Sequence, residues 1–94
     1  MEPIRIDRFQ SVHQQGRVTL TAELSGRPTP RWCRLCTANF NRYYEAFGEQ
    51  PALIDATVVV ATTTEGLATS QMALQAVVSA TNAQCFDAVG GQLS

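Results

Sequence analysis

Cys33 and Cys36 stand three positions apart in the hexapeptide RWCRLC, residues 31 to 36, and a third cysteine follows at Cys85. Two thiols at this spacing can interchange dithiol and disulfide, provided that one is held as a thiolate by a helix N-terminus or a cation. They can also supply half of a tetrahedral zinc site, with Cys85 and the lone His13 as the other ligands. His13 lies two residues from Ser11, so strand alternation would put imidazole and hydroxyl on one face, but no carboxylate is placed to complete a triad. Arg27, Arg31, Arg34 and Arg42 form the one concentrated charge feature, and guanidinium groups near a helix N-terminus can hold a phosphate. Glu45 and Glu49, four apart, read as solvated like charges rather than an acid–base pair.

The element that carries the cysteines decides between these chemistries. Thr29 supplies a side-chain N-cap and Pro30 fits the first helical position, so a helix is expected from about Pro30 to Phe47, with Gly48 as its left-handed cap and Pro51 blocking continuation. At about 100° per residue, Trp32, Cys33, Cys36, Phe40, Tyr43, Tyr44 and Phe47 fall in one arc. Arg31, Arg34, Asn41, Arg42 and Glu45 fall on the opposite side. Trp-Cys-x-x-Cys at a helix start resembles the thioredoxin active site over five residues, and that resemblance implies a first thiol activated by the helix N-terminus. The helical phase gives a different expectation, in which both cysteines are small apolar side chains among aromatic rings. No metal or cofactor is expected on this reading, and neither is an enzyme.

The remaining elements follow from alternation and turn chemistry. Ile4 and Ile6 alternate with Arg5 and Asp7, and Val18, Leu20, Ala22 and Leu24 with Thr19, Thr21 and Glu23, giving a hairpin over residues 4 to 24 that turns at Gln15-Gly16. The alternation slips between Ile6 and Phe9, which predicts a β-bulge. Residues 52 to 61, ALIDATVVVA, read as a single third strand. Thr62 and Glu65 match a capping box, and a second helix should run to about Val89, ended by Gly90-Gly91. The fold class is therefore α+β in the order ββαβα: a three-stranded, mainly antiparallel sheet in the order 2-1-3, with two helices on one face and Thr19, Thr21, Thr57 and Val59 on the other. Residues 1–91 are expected to form a single domain and residues 92–94 a flexible tail.

Composition bounds the function. Ninety-four residues suffice for one core. Only 16% of residues are charged and the net charge is −1, which opposes wholesale attraction to nucleic acid or anionic membrane. Every basic residue is an arginine between Arg5 and Arg42, and without lysine there can be no Schiff base and no phosphate-loop lysine. The start lacks the apolar stretch of a secretory signal, and three cysteines fit reduced thiols, so a cytoplasmic location is expected. Outside its inward stripe of Leu67, Leu74, Val77, Val78, Thr81 and Cys85, the second helix offers Ala68, Met72, Ala73, Ala76, Ala80, Ala83 and Phe86. Six of these, Met72, Ala73, Ala76, Ala80, Ala83 and Phe86, are the candidate interface of a small bacterial-type interaction module. Its partner would be a second copy, forming a homodimer, or a larger protein engaged by an accessory, inhibitor or immunity type of module. Nucleic-acid binding through the arginine face and thiol–disulfide chemistry are the alternatives.

Overall fold

The computed structural model describes residues 3–43 and 50–93, with side chains through Cys85. Four strands and two helices follow one another as β1 (Ile6–Gln14), β2 (Arg17–Leu24), α1 (Pro30–Arg42), β3 (Ala52–Ile54), β4 (Thr57–Thr63) and α2 (Leu67–Leu93). The class is α+β as expected, with an antiparallel four-stranded sheet in the order β1-β2-β4-β3.

The first hairpin forms as read. Its two-residue turn places Gln15 at φ 49° and Gly16 at φ 80°, the left-handed pair that matches the twist of flanking antiparallel strands. The register shifts between Ile6 and Arg8, which locates the anticipated bulge at Asp7.

The sheet departs from expectation in strand number and order. The apolar segment after Pro51 is a hairpin rather than a single strand, because Asp55 adopts φ 53° and turns the chain so that Ile54 faces Thr57. Aspartate tolerates the left-handed region better than the β-branched residues around it. The hairpin brings β4 antiparallel against β2, with Leu20 opposite Val60 and Ala22 opposite Val58. Strand β2 is therefore central, and the expected order 2-1-3 is corrected. The physical reason lies in β1, whose bulge and charged Asp7 and Arg8 suit an edge position better than a central one.

One face of the sheet holds Val18, Leu20, Ala22, Leu24, Val58 and Val60, all buried, and both helices pack there through Trp32, Cys36 and Phe40 of α1 and Leu74, Val77 and Val78 of α2. Thr19, Thr21, Thr57 and Val59 lie on the other face, none of them in the core.

The helix starts divide the expectations. Thr29 Oγ1 accepts from the Trp32 amide at 3.2 Å with Pro30 at the first position, as the sequence implies. The capping box at Thr62 and Glu65 does not form. Strand β4 continues through Thr63, whose hydroxyl accepts from the Gly66 amide at 3.0 Å, and the Gly66 carbonyl accepts from the Ser70 amide at 2.9 Å. Thr62 instead accepts from the buried Ser70 hydroxyl at 3.1 Å. A β-carbon on Gly66 would come within 2.8 Å of Thr62 Oγ1, so the close approach of strand and helix requires glycine there. At its far end α2 passes through Gly90-Gly91 to Leu93, since glycine in a helix costs only about 1 kcal/mol and does not forbid it. Helix α1 ends at Arg42 with Tyr43 as its C-cap, the Tyr43 amide donating to the Asn39 carbonyl, so the expected run to Phe47 is corrected; Gly48, Tyr44, Phe47 and the Glu45 and Glu49 pair lie outside the described residues.

Candidate functional site

The wheel of α1 places the two cysteines differently. Cys36 is fully buried between the helices, and Cys33, on the flank of the same arc, is half-buried. Burial pushes the Cys36 thiol up to about 12; a hydrogen bond with Thr81 pulls it partly down, and nearby Cys33 pushes it further up. A thiol so held is protonated at neutral pH and is neither a nucleophile nor a ready metal ligand. All three cysteines are free, and among the described residues no three of the histidine, cysteine and acidic side chains gather to hold a metal ion. His13 sits on β1 beside the hairpin turn, opposite Val18, so His13, Cys33, Cys36 and Cys85 do not converge.

The helix–helix seam carries a polar ladder that the sequence reading missed. Asn39, 2% exposed, donates through Nδ2 to Thr81 Oγ1 at 2.9 Å and to Gln84 Oε1 at 3.2 Å, and Thr81 donates to the Val77 carbonyl at 2.7 Å. About two turns before Asn39 on α1, the Trp32 indole donates to Asn82 Oδ1 at 2.9 Å; that oxygen also accepts from the Ile4 amide at 3.2 Å, while Asn82 Nδ2 donates to the Ile4 carbonyl. No described buried side-chain nitrogen or oxygen is left without a partner, so the ladder is structural and presents no unsatisfied group to a ligand. The available signal was Asn39 and Thr81 themselves, polar residues at inward-facing positions of both helices.

The ladder fixes which flank of α2 faces α1. Gln84 and Thr81 meet Asn39, so the residues one and three turns before Gln84, Ala80 and Ala73, share that flank. Ala73 is accordingly a core residue, 7% exposed, and leaves the candidate interface; Ala80 is half-buried beside it. Ala73 is thus used within the chain, in the buried core. Met72, 74% exposed, and Ala83 remain on the outer side with half-buried Ala76 between them, joined by exposed Ala68, Thr69, Gln75 and Ser79. The Phe86 side chain lies outside the described residues.

Arg31, Arg34 and Arg42 are exposed along one side of α1, and Arg27 is exposed in the loop before it. Among the described residues ion pairs form only between Arg5 and Asp7 and between Arg8 and Glu23, so these four arginines face solvent without a described acidic partner. Among the described residues no exposed aromatic accompanies them, since Trp32 and Phe40 are buried and Tyr43 half-buried.

An open groove of about 270 Å³ runs between the start of β1 and α2, lined by Ile4, Arg5 and Ile6 on one wall and Gln75, Val78 and Ser79 on the other. Among the described residues no helix is long and apolar enough to cross a membrane.

Fold and surface together define a small α+β domain with a sealed core and one long, almost uncharged helix. No family model matches the sequence, and comparison with curated proteins and with solved structures finds no match either.

Proposed function

We propose that the chain is a non-catalytic interaction module that works by association, through the outer side of α2, with a second copy of itself or with a larger protein partner. The carrying observation is charge: between Leu67 and Leu93 the helix has one charged residue, Asp87, while Met72 and Ala83 stand exposed among Ser, Thr and Gln. A helix of this length with a solvated side ordinarily spreads Lys/Glu pairs across it. An uncharged side with small residues desolvates cheaply and lets another backbone come close. Size-exclusion chromatography with light scattering over a range of concentrations tests self-association, and Met72→Glu with Ala83→Glu should abolish it without unfolding the chain. A wild-type chain that stays monomeric at every concentration removes that version and leaves the larger-partner version to affinity capture with the same double variant as control.

The exposed arginine row favours nucleic-acid binding as a second reading, since unpaired guanidinium groups on one helix side can track phosphates. The thiol–disulfide alternative has no such support, because Cys36 is buried and held protonated.

A further inference from the structure

Helix α1 turns a broad side without acidic residues to solvent. Seven of its thirteen residues are exposed, and at about 100° per residue they span an arc of about 140°. Between Glu23 and Glu45 the sequence holds four arginines, Arg27, Arg31, Arg34 and Arg42, and no acidic residue. The net charge of −1 therefore conceals a local excess of positive charge on one helix and the loop before it.

Residue types are ordered within that arc. Arg31 and Arg42 lie within about 20° of one another at one margin, about 16.5 Å apart along the axis. Arg34, Ala38 and Asn41 occupy the centre, with Arg34 and Asn41 about 10.5 Å apart. The Arg34 guanidinium and the Asn41 amide bond to no described residue, so their hydrogen-bonding groups are uncommitted.

We infer that this side of α1 enters the major groove of duplex DNA, with Arg27, Arg31 and Arg42 on phosphates and Arg34 and Asn41 on base edges. The inference deepens the second reading above and rests on it, narrowing nucleic acid to one kind of ligand.

Charge complementarity selects a polyanion, and geometry selects which one. A helix with its side chains is about 10–12 Å across, and the major groove of B-form DNA is about 12 Å wide. Arginine pairs with guanine O6 and N7, asparagine with adenine N6 and N7, and alanine packs on the thymine methyl. The separation of Arg34 from Asn41 equals about three base-pair steps of about 3.4 Å. Single strands are held chiefly by exposed aromatic rings, and none accompanies the row among the described residues. The major groove of duplex RNA is too narrow and deep for side chains to read. An acidic protein would need an apolar or aromatic anchor at the centre of the contact, where α1 offers only Ala38.

The test starts from a labelled DNA duplex pool randomised at its centre and selected for binding at low salt. The selected duplex should carry a guanine and an adenine about three base pairs apart, and should bind more tightly than the single strand or the RNA duplex of the same sequence. Arg31→Ala with Arg42→Ala should weaken binding to every duplex roughly tenfold or more and lower the salt slope by about 2. Arg34→Ala should instead remove the preference for the guanine, and with it the sensitivity of binding to methylation of guanine N7, a major-groove atom. Arg17→Ala, an exposed arginine on the sheet, should change nothing, and thermal unfolding checks that each variant is folded. Equal affinity for single strand or RNA duplex, a pool that returns no preferred sequence, or indifference to N7 methylation overturns the groove placement and leaves the broader nucleic-acid reading standing. No binding to any of the three probes overturns both.

Discussion

Truncating Asn82 to alanine would orphan the Trp32 indole N–H and both backbone groups of Ile4 in one step. Because Trp32 and Ile4 are buried, the expected cost is about 2 kcal/mol, read as a lowered urea midpoint at unchanged slope. Asn82→Asp should restore only the accepting half of the arrangement and recover only part of that loss. Cys36 gives a pH signature. Its folded-state value of about 12 lies above the unfolded value of about 8.5, so the folded chain holds the proton more tightly. The contribution is fully present below about pH 8.5 and is lost progressively as pH rises toward the folded value, with a slope of at most about 1.4 kcal/mol per unit. Cys36→Ala, compared with the wild type between pH 8 and 10, should flatten that part of the stability profile. Thiol labelling of the native chain at neutral pH should be slower at Cys36 than at Cys33. Helical phase sufficed to read this site from sequence, because a buried thiol needs only the correct arc. The seam beside it was not legible, since Asn39 and Thr81 become partners only when two distant helices are set side by side.

At the level of elements, the link between β4 and α2 depends on Gly66. Gly66→Ala drives a β-carbon into the Thr62 and Thr63 hydroxyls, at 2.8 and 3.3 Å, and should cost about 1–2 kcal/mol by thermal or urea unfolding. Thr62→Ala in the same chain removes the nearer obstacle, so the two substitutions together should cost less than their sum. The first hairpin and the start of α1 were legible because their signals are local: left-handed glycine chemistry at Gln15-Gly16 and a threonine cap before proline. The split of the third strand was not, because Asp55-Ala56 is a weak turn signal inside an apolar run. Its left-handed backbone is favoured by what the hairpin gains against β2, including the Leu24 amide bonded to the Ala56 carbonyl at 2.9 Å. Strand order went with it, since a single third strand leaves β1 and β2 equivalent as neighbours. Ala73 lies in the core rather than on the outer side for a related reason: one helix's wheel shows which side is apolar but not how wide a stripe the rest of the fold will cover.

Across the whole molecule, charge is segregated, with every arginine at or before Arg42 and one acidic residue on the long closing helix. That division separates the two readings of function experimentally. If the α1 row binds phosphate, titration with labelled duplex and single strands at low salt should show binding that weakens steeply with added salt and is lost in Arg31→Ala with Arg34→Ala. Association through the outer side of α2 should instead resist salt, because that surface carries almost no charge.

The Trp32 indole, hydrogen-bonded to Asn82 at the junction of the two helices, is the chain's single tryptophan. Its emission is therefore a built-in optical gauge of helix docking: separation of α1 from α2 admits water to the ring and shifts its fluorescence to the red. Circular dichroism in the far ultraviolet follows helix content instead. Coincident midpoints for the two signals would mark docking and folding as one cooperative event, and an earlier optical midpoint would expose a state in which the helices persist but have come apart.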